Sequence, residues 1–273
     1  MNNLLKGYLC GMEKLVIFGC GRLAGIVAEA VLNGLLPEYD LVGVYSRTAE
    51  NARNLAAKMQ QHGKECKPCT TLEELLALKP DYLVEAASPA AMRELALPTL
   101  KNGTSIVTLS IGALADNDFY REARETAKAN GSRIYIASGA TGGFDVLRTT
   151  ALMGNASARF FNEKGPRALR RSPVYDASLE TEKRVVFSGT AREAIGVFPT
   201  GLNVSVAASL ASVGPEKMLV TMQSTPGFVG DTQRVEIKNE QVHAVVDVYS
   251  ATPEIAGWSV VSTLQNIVSP IVF

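Results

Sequence analysis

Histidine, tryptophan and cysteine are all scarce in this chain. Its 273 residues include two histidines (His62 and His243), one tryptophan (Trp258) and four cysteines. Cys10, Cys20, Cys66 and Cys69 are too few to build a disulfide framework in a chain of this length. Cys66-Lys67-Pro68-Cys69 has the spacing of a redox pair or half a zinc site, but no second pair completes four ligands and His62 alone is not enough. A redox pair should open a helix directly after a strand. Here a short extended piece lies between the cysteines and the next helix start, so two thiols near a surface strand, and no metal, are expected. Neither sign of charge is in excess, with 27 Lys plus Arg against 27 Asp plus Glu. No overall field therefore draws the chain to nucleic acid or anionic lipid. No apolar run is long enough to span a bilayer, and no secretory pattern opens the chain. Residues 1–11 read as a short unstructured leader, and the cytoplasm is the default compartment.

What is present is ordinary globular composition, 47% hydrophobic and 20% charged, in a chain long enough for one large or two moderate domains. The strongest signal is Leu15-Val16-Ile17-Phe18-Gly19-Cys20-Gly21-Arg22-Leu23-Ala24-Gly25, an apolar run followed by a Gly-x-Gly-x-x-Ala turn and a helical segment. A strand that ends against a helix N-terminus presents free backbone N–H groups and a partial positive charge. Gly19 permits the tight turn, Gly21 lets a pyrophosphate approach, and Ala24 keeps helix and sheet close. In that setting the glycines point to a dinucleotide site.

Strand and helix signals then alternate. Strands are expected over 41–45, 81–86, 105–109 and 133–137, and helices over 48–60 (capped by Thr48), 71–78, 89–100 (kinked at Pro98) and 116–129. This predicts a Rossmann-type, doubly wound parallel sheet over residues 12–138. A glycine-rich joint, Gly139-Ala140-Thr141-Gly142-Gly143, leads into a smaller α+β domain over 139–252. There, helices are expected over 144–153, 191–197 and 202–211, with strands over 184–187, 218–223, 234–237 and 242–249 in a mainly antiparallel sheet. A polar stretch rich in Arg and Pro covers 164–173. The last segment, 253–273, carries an amphipathic helix that returns to the first domain.

After the second strand the sequence reads Val44-Tyr45-Ser46-Arg47-Thr48. A site selective for NAD usually places a carboxylate here to bind the ribose hydroxyls. Arg47 could instead pair a 2′-phosphate bidentately beside the small Ser46. NADP(H) is the preferred cofactor, with NAD(H) also open; a solvated surface charge is the plain alternative for Arg47.

Nearly the whole chain from Lys14 onward resembles the L-aspartate dehydrogenases of the homoserine-dehydrogenase-like group. The matching blocks are Gly19-Cys20-Gly21, Val84-Glu85-Ala86-Ala87-Ser88-Pro89, Ser110-Ile111-Gly112-Ala113-Leu114-Ala115-Asp116 and Ser138-Gly139-Ala140-Thr141-Gly142-Gly143-Phe144-Asp145-Val146-Leu147. They continue in Val186-Phe187-Ser188-Gly189-Thr190-Ala191 and Phe198-Pro199-Thr200-Gly201-Leu202-Asn203-Val204. The resemblance implies a nicotinamide cofactor, a small-molecule substrate, a homo-oligomer (dimer or tetramer) and reversible oxidative deamination of an amino acid. It implies that Gly19, Gly21, Arg22 and Leu23 hold the pyrophosphate. Ala87, Ser88, Pro89, Ser110, Gly112 and Ala113 then line the nicotinamide, and Ser138, Gly139, Ala140 and Asn203 face the substrate.

The substrate half departs from the family pattern. The family's Asn-x-His segment reads Asp231-Thr232-Gln233, and Gln233 cannot carry a proton. Lys164 is the best remaining proton donor, with a solvated loop lysine as the alternative. His243 is expected in the next strand, opposite Glu236 and on the face of Arg234, and so does not stand in for the family histidine. The family's Lys-Pro-Pro region reads Lys164-Gly165-Pro166, and its Pro-x-Asn-x-Asn reads Pro199-Thr200-Gly201-Leu202-Asn203. Trp258 replaces a polar run, which suggests a larger or less charged substrate, or else a core tryptophan. The expected function is hydride transfer between NADP(H) and an amino acid or imine, aspartate or a relative of it. The alternatives are a nucleotide-binding sensor or assembly partner that has lost catalysis, and an imine or aldehyde reductase.

Overall fold

The computed structural model describes residues 11–273, so Cys10 and nearly all of the expected leader lie outside the described residues. The first half alternates as expected: β1 (Glu13–Phe18), α1 (Arg22–Leu32), β2 (Tyr39–Tyr45), α2 (Ala49–Gln61), β3 (Lys67–Cys69), α3 (Leu72–Leu76), β4 (Tyr82–Glu85), α4 (Pro89–Lys101), β5 (Ser105–Thr108), α5 (Asn117–Ala129) and β6 (Ile134–Ile136). All strand pairs are parallel, in the order β3-β2-β1-β4-β5-β6. The order reverses between β1 and β4, and beyond the C-terminal ends of those strands lies the crevice where doubly wound sheets bind ligands. Leu15, Ile17, Val44 and Val84 pack toward α1 and α2 on one face. On the other face Val16, Leu83 and Ile106 meet α3, α4 and α5.

Two local features differ from expectation. Thr48 precedes α2, but its side chain makes no capping bond. Cys66 and Cys69 are buried rather than superficial, because α2 covers Cys66, just before the short edge strand β3, and α3 covers Cys69 at its end. Burial pushes the Cys66 thiol up to about 12.

The second half continues with α6 (Phe144–Leu152), β7 (Ser157–Lys164), α7 (Pro166–Leu169), β8 (Arg184–Thr190), α8 (Ala191–Val197), α9 (Asn203–Leu210), β9 (Leu219–Ser224), β10 (Asp231–Lys238), β11 (His243–Ser250) and α10 (Glu254–Val268). Its sheet has the order β11-β10-β7-β9-β8, antiparallel except where β7 meets β9. One face is covered by α6, α8 and α9 around Phe160, Met222, Val235 and Ile237. β7, the central strand, has no counterpart in the sequence expectation. Its side chains run Ala158, Phe160, Asn162 inward and Arg159, Phe161, Glu163 outward, so a polar residue buried on one side and an aromatic on the other blur the alternation that marks a strand.

The β10–β11 register pairs His243 with Lys238 and Val245 with Glu236, two residues from the expected pairing. His243 still lies on the Arg234 face, exposed, with Nε2 3.1 Å from Glu236 Oε1. Trp258 is neither core nor cleft; it is 47% exposed on α10. That helix packs on α1 with Val260, Val261 and Leu264 in the first core, and the Tyr39 hydroxyl donates to the Leu264 carbonyl at 2.7 Å. Among the described residues no helix is long and apolar enough to cross a membrane.

Candidate active site

The turn after β1 is built for close approach. Gly19 has φ +104°, and a Cβ there would stand 2.7 Å from the Ala86 carbonyl oxygen, so β1 and the end of β4 meet too tightly for any side chain. Gly21 caps α1 without a side-chain bond, and a Cβ at Gly21 would meet nothing within 4 Å. The first N–H groups of an eleven-residue helix therefore face open space with no acidic side chain in the first turn. This is the chemistry a pyrophosphate needs. Burial pushes the intervening Cys20 thiol up to about 12, and its Sγ contacts the Tyr45 carbonyl. Ser46 and Arg47 follow β2, one strand away from this turn. Arg47 is exposed and has no ion-pair partner among the described residues.

Glu85 fixes the neighbouring loops. The carboxylate is fully buried at the end of β4 and accepts five hydrogen bonds. Oε1 takes the N–H groups of Ala87 (2.8 Å) and Ser88 (3.1 Å) and the Ser110 hydroxyl (2.8 Å). Oε2 takes the Thr108 hydroxyl (2.7 Å) and the Ser110 N–H (3.1 Å). Burial raises the Glu85 carboxyl above its ordinary range, and the donors oppose that shift. One side chain thereby ties the loop after β4 to the loop after β5. Ser88 in turn caps α4 by accepting from the Ala91 N–H at 3.2 Å, with Pro89 in the first turn. Sequence reasoning passed over Glu85, although an acid closing an apolar run is an available signal.

A cleft of about 970 Å³ opens between the two sheets. From the expected set it gathers Arg22, Leu23, Ala87, Ser88, Pro89, Ser110, Gly139, Ala140, Lys164, Asn203 and Gln233. The others lie elsewhere. Gly112 and Ala113 are buried in a 3-10 turn (Ile111–Ala115), where the Gly112 N–H donates to Asn203 Oδ1 at 2.9 Å and so ties this turn to α9. Ser138 opens on a separate cavity against α10. The glycine-rich joint is a buried turn, pinned by the Gly139 N–H donating to Ser259 Oγ at 3.0 Å.

On the far wall β7 and β10 run side by side, with Asp231 opposite Lys164 and Gln233 opposite Asn162. Lys164 Nζ lies 3.0 Å from Asp231 Oδ2 and 3.3 Å from the Gly201 carbonyl, with its side chain 14% exposed. Asp231 also accepts from Gln233 Nε2 (2.8 Å) and Asn162 Nδ2 (2.5 Å). Asn162 donates again to the Thr232 carbonyl at 2.9 Å, while Gln233 Oε1 has no partner. Lys164 is thus part of a half-buried polar cluster centred on Asp231, a residue the sequence expectation did not single out. Neither histidine reaches the cleft: His62 follows α2 at the surface and His243 stays with Glu236.

Two family models match successive parts of the chain. A homoserine dehydrogenase NAD-binding domain model matches residues 19–137, and an aspartate dehydrogenase C-terminal model matches 145–267. L-Aspartate dehydrogenase of Methanocella arvoryzae is 30% identical over 272 residues, covering 95% of this chain and 98% of that protein. The Methanococcus maripaludis enzyme is 32% identical over 231 residues, covering 83% and 84%. The crystal structure of aspartate dehydrogenase from Thermotoga maritima superposes with a TM-score of 0.71 at 24% identity, covering 96% of this chain and 99% of that one. The amine dehydrogenase of Mycobacterium smegmatis gives 0.57 at 17% identity, covering 94% and 92%, and shares the fold. The chain belongs to the L-aspartate dehydrogenase family of nicotinamide-dependent oxidoreductases.

Proposed function

We propose that this protein is an amino-acid dehydrogenase that uses NADP(H) in preference to NAD(H), working as a homo-oligomer in the cytoplasm. The observation that carries the reading is that one cleft joins the first turn of α1 to the Lys164–Asp231 pair. The bound nicotinamide supplies hydride exchange with the substrate α-carbon, so that amino acid, water and oxidised cofactor give 2-oxo acid, ammonium, reduced cofactor and a proton. The chain's own groups do the rest. The N–H groups at the start of α1 hold the pyrophosphate, with Gly19 and Gly21 clearing its path and Arg22 adding charge. Ser46 and Arg47, at the N-terminus of α2, take the 2′-phosphate. Glu85 holds Ala87-Ser88-Pro89 and Ser110 against the nicotinamide end, with Gly112 and Ala113 packed behind. Lys164 hands a proton to and from the substrate nitrogen, Asp231 keeps that ammonium in place, and Gln233 braces Asp231 through its Nε2. Gly139, Ala140 and Asn203 shape the substrate end, while Ser138 lies too far aside to share it.

Titration of NADPH and NADH by nicotinamide fluorescence tests the cofactor assignment. NADPH should bind about tenfold tighter, and Arg47→Ala should erase the difference. Failure of both nucleotides to bind removes the whole reading. The cleft's lack of a histidine supports a second reading, nucleotide binding without turnover. That reading predicts tight NADPH binding with no oxidation by any 2-oxo acid and ammonia, and gain of turnover in Gln233→His.

A further inference from the structure

Among the described residues, only four charged side chains line the cleft: Arg22, Lys164, Arg167 and Asp231. Given the proposed dehydrogenase reading, Arg22 in the first turn of α1 serves the pyrophosphate. Lys164 and Asp231 cancel each other at 3.0 Å, and Lys164 spends a second N–H on the Gly201 carbonyl. Asp231 is held in that role by Asn162 and Gln233 as well, so it is not free to swing away. Neither Arg22 nor Arg167 has an ion-pair partner among the described residues, so with Arg22 given to the pyrophosphate, Arg167 on the short helix after β7 is the unpaired cation left for the substrate.

We infer that the substrate is a monocarboxylic α-amino acid, or its 2-oxo acid, with an uncharged side chain, and that Asp231 excludes dicarboxylates such as aspartate. One carboxylate is matched by Arg167. A second would find Arg22 taken by the pyrophosphate and Lys164 already neutralised, and it would meet the Asp231 carboxylate at close range. Although the hydroxyl residues Thr200, Ser250 and Thr252 also line the cleft, part of the wall beyond is apolar. Phe228, Val229, Ala168 and Pro253 line it, with the Phe228 ring set edge-on to Tyr249 at 6.0 Å and the Tyr249 hydroxyl donating to the Val229 carbonyl at 3.0 Å. That loop is held in place and offers a substrate side chain hydrocarbon rather than donors. The carboxylate thus sets specificity as well as placing Lys164.

The test compares calorimetric binding of 2-oxobutyrate, 2-oxoisocaproate, oxaloacetate and 2-oxoglutarate to the protein, with and without NADPH, alongside turnover with ammonia. The monocarboxylates should bind about tenfold or more tightly than the dicarboxylates. Asp231→Asn frees Lys164 for a second carboxylate and should move that ratio toward the dicarboxylates by about tenfold or more, while a merely structural role would weaken all four alike. Arg167→Gln, a change at an exposed position, should weaken the monocarboxylates by about tenfold. Dicarboxylate preference in the native protein, or an unchanged ratio in Asp231→Asn, overturns the inference. No 2-oxo acid binding in the presence of bound NADPH also overturns it, leaving the cofactor reading intact. Selective monocarboxylate binding without any nucleotide binding would remove the dehydrogenase reading alone.

Discussion

In the function proposed above, the two walls of the cleft recognise ligands by different means. The nucleotide wall works through backbone: a glycine turn, the free N–H groups of α1, and loops tied together by Glu85. The substrate wall works through side chains, with Lys164 and Asn162 from β7 meeting Asp231 and Gln233 from β10. Backbone recognition constrains sequence at adjacent positions and tolerates little change. A side-chain cluster assembled across two strands can change its charge, and with it the ligand, without altering the fold. The departures expected at Lys164-Gly165-Pro166, Pro199–Asn203 and Gln233 include residues that line the cleft, whereas Trp258 lies exposed on α10.

The sharpest way to break this comparison is at Glu85. Glu85→Ala removes the acceptor of five hydrogen bonds, three of them from backbone N–H groups, of which the Ser110 N–H keeps Thr108 Oγ1 at 3.0 Å, and should cost about 2 kcal/mol or more in denaturant unfolding. A smaller loss would mean that the nucleotide wall does not depend on that carboxylate. Lys164→Ala tests the other wall. Turnover should fall by about a hundredfold or more with NADPH affinity unchanged, the split expected of a proton-handling group remote from the dinucleotide. Equal loss of nucleotide affinity would erase the distinction between the walls.

The thiols give a milder test. Cys20 and Cys66 are both raised by burial from an ordinary value of 9.0 to about 12. At pH 8 only about one thiolate in ten thousand is then present, so neither should react with iodoacetamide in the folded protein. The unfolded chain loses these protons near pH 9 and the folded one near pH 12. Their contribution to stability is therefore full below pH 9 and declines as pH rises through that window, which alkaline denaturation curves should show.

The same contrast explains what could be read before the structure. The parallel sheet was legible because short apolar runs alternate with helices, and the dinucleotide turn because its parts are contiguous from Leu15 to Gly25. Glu85 was missed because its partners Thr108 and Ser110 stand 23 and 25 residues away and look like ordinary loop hydroxyls. β7 was missed because Asn162 points inward and Phe161 outward, the reverse of the usual pattern. Without β7 the placement of Lys164 against Asp231, 67 positions later, could not be foreseen. Trp258 had suggested substrate or core, and the helix puts it on neither.

The most direct test of the account is the dinucleotide affinity of Gly21→Ala. A Cβ at this position touches no protein atom within 4 Å, so only a bound ligand can feel it. Stability should change by no more than about 1 kcal/mol, the scale of an N-cap replacement. NADPH affinity should fall by about tenfold or more if the pyrophosphate lies against this turn. A stable Gly21→Ala protein that binds NADPH as tightly as the native chain would contradict the account.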